Sequence, residues 1–302
     1  MRAIKSKTRT RILSLTIFSL LLIGILSTSI VASSTYQHTL VKGTDEFVVI
    51  FYDSAEWKAT VNPTLTPSDW FEGEANITNA KSKITLKIWT LTTWSTYEVF
   101  KSIFMLAPQL FFLGHNETEI NANYTNSYSL WYGQRLVWNY TSNDYMEDPS
   151  HDDDEIVILQ NPLDYKSMLD DYNNLADSEV SIPNINADEF LWQLAFNGLT
   201  IAEPQGNYLE SLITELGCNN ASVSGSTLII ERYGVTNYTV EISYGEKGMM
   251  SSFTVKDISG TVIYQITSSN SEWLFYLILI VVSAASVVLV VYVVIRNRRH
   301  KR

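Results

Sequence analysis

Toward the C-terminal end of the chain, residues 227–232, 238–244, 249–256 and 261–267 place apolar side chains at roughly every second position, and Gly234, the 245–248 segment and the Ser259-Gly260 pair interrupt them. A period of two suits a strand with one buried face, and small turn residues between such runs predict a four-stranded antiparallel meander. Upstream, residues 47–52 form a continuous apolar run suited to a buried strand, and Ile84, Leu86 and Ile88 alternate with polar neighbours. Ser95 and Glu98 stand at capping-box spacing ahead of Phe100, Ile103, Phe104 and Ala107, so a helix is predicted up to Pro108. Residues 127–132 and 135–140 flank Gly133-Gln134, a pair that suits a two-residue hairpin turn of type II′. A short strand at 156–159 follows an acidic stretch expected to be a loop. Met168, Leu169, Tyr172 and Leu175 then share one helical face. Asn207 and Glu210 suggest a second capping box, Leu209, Leu212, Ile213 and Leu216 follow helical spacing, and Gly217 is placed to end that helix. The expected fold class is α+β: an antiparallel sheet carrying the C-terminal meander, with a few short helices.

The two ends of the chain have a different pattern. Residues 273–295, opening on Trp273 and closing on Ile295, hold no charge and are dominated by Leu, Ile and Val. At about 1.5 Å per residue such a helix reaches roughly 34 Å, enough to cross a hydrocarbon core of about 30 Å. Arg296, Arg298, Arg299, Lys301 and Arg302 follow directly, and basic residues resist translocation, so residues 296–302 form a cytoplasmic tail. At the other end Arg2, Lys5, Lys7, Arg9 and Arg11 precede an apolar stretch at 12–31 and the small residues Ala32, Ser33 and Ser34. That order reads as a signal peptide over 1–34, with an uncleaved anchor as the alternative. Either way residues 35–272 lie outside the cell membrane, as one large domain or two smaller ones. The lipid bilayer is then a partner through Trp273 to Ile295.

This topology sharpens the charge. The two termini hold ten of the 21 Lys and Arg and none of the 32 Asp and Glu, so the exported part carries 11 basic against 32 acidic residues. Such a surface disfavours nucleic acid and anionic lipid headgroups as partners. Cys218 is the only cysteine, which rules out an intramolecular disulfide, and the domain must stand on its apolar core. Asn76, Asn116, Asn123, Asn139, Asn220 and Asn237 each open an Asn-x-Ser/Thr glycosylation signal in the exported part.

No catalytic motif occurs: HExxH, GxSxG, SxxK, a phosphate loop and a dinucleotide fingerprint are all missing. A non-catalytic protein is therefore expected, with an unrecognised extracellular hydrolase as the distant rival. One cluster carries chemistry. Asp144, Glu147, Asp148, His151, Asp152, Asp153, Asp154 and Glu155 fall close together, and hard cations take six to eight oxygens, so Asp144, Asp148, Asp152, Asp153, Asp154 and Glu155 are candidate Ca2+ ligands. Their spacing matches no calcium loop, and a solvated acidic loop is the plainer reading. No other cofactor is expected. The exported tryptophans suggest a further use, because a curved antiparallel sheet with helices on one face can enclose an apolar cavity, as in lipid-carrier domains. Aromatic side chains that simply fill the core are the commoner outcome.

A signal segment, an acidic ectodomain free of disulfides, the Tyr244-Gly-Glu-Lys-Gly-Met-Met turn, an apolar anchor and the basic tail together resemble archaeal-type single-pass surface proteins. The resemblance lies in the layout and implies display at the cell surface; it brings no site residues. The functional expectation is a membrane-anchored binding, adhesion or envelope protein whose partner is a surface protein, glycan or apolar ligand. The alternative is an extracytoplasmic carrier or sensor of an apolar ligand.

Overall fold

A computed structural model describes residues 36–103, 116–177 and 183–269. The expected signal segment, the membrane helix at 273–295 and the basic tail lie outside the described residues, as do Phe104, Ala107, Pro108 and His115. Among the described residues no helix is long and apolar enough to cross a membrane.

The protein is mostly antiparallel sheet with a few helices. Nine described strands form one sheet: β1 (Gly43–Tyr52), β2 (Lys81–Ser95), β3 (Ser127–Thr141), β4 (His151–Leu159), β5 (Ala221–Ser224), β6 (Thr227–Tyr233), β7 (Asn237–Tyr244), β8 (Met250–Asp257) and β9 (Val262–Ser268). Their spatial order is β4-β3-β2-β1-β9-β8-β7-β6-β5. Two meanders thus meet where β1 pairs with β9. The meander of β6 to β9 follows the sequence reading almost residue for residue, with the short β5 added at its edge.

The register explains the alternation. Val49, Ile266, Phe253, Ile242 and Leu228 are successive cross-strand partners, and so are Tyr264, Val255, Val240 and Ile230. All are essentially without solvent exposure, so these rows form the floor of the core. The intervening rows are polar: Thr267 pairs with Ser252 and Ser252 with Ser243, and Lys256 Nζ lies 2.7 Å from Glu241. At the other end of the sheet the pattern changes. Ile158 and Leu159 are consecutive, hence on opposite faces of β4, and both are fully buried, so that edge is covered on both sides.

The described helices are α1 (Ser54–Thr60), α2 (Pro67–Phe71), α3 (Thr96–Ser102), α4 (Glu117–Asn123), α5 (Asp164–Asp177), α6 (Ala187–Phe196) and α7 (Gln205–Leu216). The last three make the connection from β4 at one edge to β5 at the other. Met168, Leu169, Tyr172 and Leu175 of α5 are buried, as their spacing predicts. Ser95 caps α3, with both bonds of the capping box to Glu98 present. Gly217 ends α7 at φ 73°, a left-handed turn where a side chain is disfavoured.

Three sequence expectations need correction. Residues 127–141 are one continuous strand, with no turn at Gly133-Gln134. Gly133 is in register with Trp89 and Ile156, and a Cβ there would lie 2.5 Å from the Ile88 carbonyl oxygen and 2.6 Å from the Trp89 ring. It is glycine because an indole ring and a neighbouring backbone press on it. Strand β4 begins at His151, so part of the acidic stretch is strand rather than loop. Helix α7 begins at Gln205, with Pro204 as its first flanking residue, which places Asn207 inside the helix rather than at its cap.

Candidate functional site

A cavity of about 1020 Å³ opens between the sheet and the helical connection. Strands contribute Phe47, Ile84, Val137, Tyr140 and Phe253; α6 contributes Phe190, Leu194 and Phe196; Phe71 and Met249 complete the apolar part. Phe47, Phe190 and Phe253 are at most 2% exposed, so at this end they are packed core behind the cleft wall. Its wall continues into an aromatic cluster. Phe71 lies 4.9 Å from Phe253 and 6.0 Å from both Tyr264 and Phe196, and Trp70 lies 4.8 Å from Trp57 and 5.6 Å from Trp192. Stacked, tilted and edge-to-face aromatic packing of this kind fixes side chains in place, so the wall is preformed. Arg232 of β6 holds α6 over the sheet, stacking 4.6 Å from the Trp192 ring and pairing with Glu189 at 2.9 Å.

The other end of the cavity is charged and open. Glu98, Lys101 and Ser102 of α3 face Tyr132, His151, Asp154 and Glu155 across it. Arg135 Nε donates to Asp154 Oδ2 at 2.7 Å, and His151 Nε2 is 2.8 Å from Glu72 Oε2. Glu155 accepts from the Tyr132 hydroxyl at 3.1 Å and from Ser102. Glu98 is engaged in the α3 cap.

The acidic residues singled out in the sequence fall on a loop and a strand. Asp144 and Asp148 lie in the connection from β3 to β4, while Asp152, Asp153, Asp154 and Glu155 fall within β4. Asp154 is committed to Arg135, and Glu155 to Tyr132 and Ser102. Among the described residues no group of three or more His, Cys, Asp or Glu is arranged to hold a metal ion. Five of the six glycosylation signals present an exposed asparagine: Asn76, Asn116, Asn123, Asn220 and Asn237. Asn139 is half-buried within β3, its backbone N–H bonded to Ser150 Oγ at 3.1 Å.

The nucleophile and base chemistry is equally quiet. Burial pushes the Cys218 thiol up to about 12, with Asp188 adding to the shift, so thiolate is scarce at neutral pH. Tyr165, which lines the cavity, is raised by burial to about 12 and stays a neutral phenol. His38 stacks on Trp89 at 5.7 Å and meets Trp131 edge-on at 5.4 Å. Among the described residues neither His38 nor His151 bonds to a hydroxyl or a thiol.

Arg135, Tyr140, Phe190 and Phe253 went unremarked in the sequence as site residues. They are spread over more than a hundred positions with no shared spacing, and only the strand order brings them together. In comparisons with known proteins, no family model, no curated protein and no solved structure matches this chain.

Proposed function

We propose that the chain is an extracytoplasmic carrier or sensor of an apolar ligand, displayed on its C-terminal membrane helix. The cavity carries this reading. A cleft of about 1020 Å³ whose walls include Phe71, Leu194 and Met249 has a size that suits a small amphiphile. Apolar walls at one end and charged side chains at the other match a ligand with an apolar body and a polar end. The basic flanks of the two terminal apolar segments support placing the domain outside the membrane. The reading involves no catalytic step and needs no cofactor.

The test is native mass spectrometry of the full chain released from detergent micelles. A co-purifying amphiphile in the wild type is expected. Ala195, which lines the cavity and is 7% exposed, should exclude that amphiphile when replaced by Trp. A wild-type protein that neither retains nor takes up any long-chain amphiphile, yet captures a surface protein, would overturn the carrier reading in favour of adhesion.

A further inference from the structure

We infer that the second half of β2 is a homodimer interface, in which residues 88–95 pair edge to edge and antiparallel with the same residues of a second copy, about a twofold axis at Leu91. The inference goes beyond the carrier reading and does not depend on the cavity. Strand β1 pairs with β2 over Lys81 to Leu86, whereas β3 accompanies β2 as far as Ser95. From Lys87 onward one edge of β2 has no neighbouring strand among the described residues. Lys87, Ile88, Thr90, Leu91 and Thr93 are exposed, Ile88 at 48% and Leu91 at 60%. Adjacent residues of a strand point to opposite faces, so this stretch is uncovered on both faces as well as along its edge.

The ladder decides which backbone groups look outward. The Ser129 and Val137 carbonyls accept from Gln160 and Ser150, which flank β4, so odd-numbered residues of β3 bond toward β4 and even-numbered ones toward β2. Leu130 and Tyr132 stand opposite Thr92 and Thr90. Thr90 and Thr92 are thereby committed to β3, and the N–H and C=O groups of Trp89, Leu91 and Thr93 face the open edge. The Leu91 carbonyl accepts from the adjacent Thr90 hydroxyl at 3.3 Å, a local bond made where no strand lies alongside. Two such edges related by a twofold axis match outward groups only in registers centred on a residue. The register centred on the open stretch sets Leu91 on Leu91 and Trp89 on Thr93, each pair exchanging two N–H···O bonds.

The other edges of the sheet are guarded against such pairing. Strand β5 is four residues long, and β4 carries Asp152, Asp153, Asp154 and Glu155. Residues 88–95 have no charge and hold Ile88, three threonines and two tryptophans, all strong strand formers. Charge makes a second copy the occupant that fits. With 32 acidic and 11 basic residues between positions 35 and 272, two copies repel over most of their surfaces, and this neutral stretch is where they can approach. The same register brings Lys87 of each copy opposite Ser95 of the other, at the end where Glu98 caps α3, so the charges that flank the contact are opposite in sign.

Native mass spectrometry of the detergent-purified full chain, run over a concentration series, counts the copies in each complex. Wild type is expected to dimerise in the micromolar range, as a contact no larger than one strand edge implies. Leu91→Lys and Leu91→Glu each set like charges face to face across the axis and should weaken the dimer by about tenfold or more. Leu91 is exposed, so both variants should keep the near-UV circular dichroism of wild type. Mixing the two variants, one of them isotope-labelled, should restore a dimer that holds one copy of each, an outcome that loss of folding cannot produce. A wild type that stays monomeric throughout the series overturns the interface. So do charged variants that dimerise as well as wild type, which would place the contact elsewhere in the chain, and a mixture that recovers no mixed dimer, which would refute the pairing at Leu91.

Discussion

The sharpest test of the architecture is a single buried carboxylate. Asp171 on α5 is 6% exposed and accepts from Thr96 Oγ1 at 3.1 Å, from Asn126 Nδ2 at 3.0 and 3.1 Å, and from the Tyr128 hydroxyl at 2.8 Å. It therefore ties α5 to the first residue of α3 and to the start of β3, elements distant in sequence. Tyr128 responds to this position: burial and then Asp171 push its phenol well above the usual range, so it remains a donor at any working pH. In Asp171→Ala three donors lose their acceptor at once. Each orphaned donor costs roughly 1–3 kcal/mol, and water entering the new space recovers part, giving about 4 kcal/mol in total. For a domain of this size each kcal/mol lowers Tm by roughly 2–4 °C, so a fall of about 8–16 °C is expected. Asp171→Asn keeps one acceptor and the shape and should lose about 1–2 kcal/mol, and Tyr128→Phe a similar amount. Thermal unfolding of the full chain, followed by near-UV circular dichroism, measures all three. An Asp171→Ala protein melting within about 2 °C of wild type would refute the idea that this carboxylate holds the helical layer to the sheet.

Gly133→Val is expected to destabilise by about 1–3 kcal/mol, because even its Cβ meets the Ile88 carbonyl and the Trp89 ring, and a melt unchanged from wild type would contradict the continuous β3. Asp257 bonds Ser259 and Thr261 in the turn between β8 and β9, and those bonds hold its carboxyl below the ordinary value of 3.8. A depressed folded pKa contributes stability above the unfolded pKa and loses it as pH falls through the folded one. The Tm gap between wild type and Asp257→Ala should therefore be open at neutral pH and narrow steadily below 3.8; a gap that does not change with pH would defeat the assignment. Cys218, with its thiol raised to about 12, should resist iodoacetamide in the native protein at mildly alkaline pH and react readily in denaturant, as read by mass spectrometry.

How far the sequence could be read depends on where each signal resides. The meander from β6 to β9 was legible because its alternation and its turn residues are local, and the buried face of α5 is likewise written in a single helical period. Gly133 misled because glycine marks both a turn and a close approach, and what approaches is Trp89, more than forty residues upstream. The start of β4 was hidden because aspartate is poor in strands in general. Here it lies on a sheet edge, where charged side chains are tolerated and discourage pairing with other chains. Helix α6 escaped notice because its apolar residues, from Phe190 to Phe196, crowd most of its circumference and blur the period. The cavity was anticipated only as an alternative use of the aromatics. Nothing in the sequence distinguishes an aromatic that fills a core from one that lines a void, since the difference lies in what is missing between them.

The position of β9 constrains how the protein is made. It lies at the centre of the sheet, between β1 and β8, although it is the last described strand to be synthesised. Until residues 262–268 have emerged, β1 has no partner on one side and the two meanders are separate fragments, each with an exposed apolar edge. The slowest step of folding is therefore the late pairing of strands that are more than two hundred residues apart. Truncation anywhere before Val262 would leave two unfinished half-sheets rather than a smaller domain. Such ends invite aggregation and give quality-control proteases an unmistakable mark of an incomplete molecule.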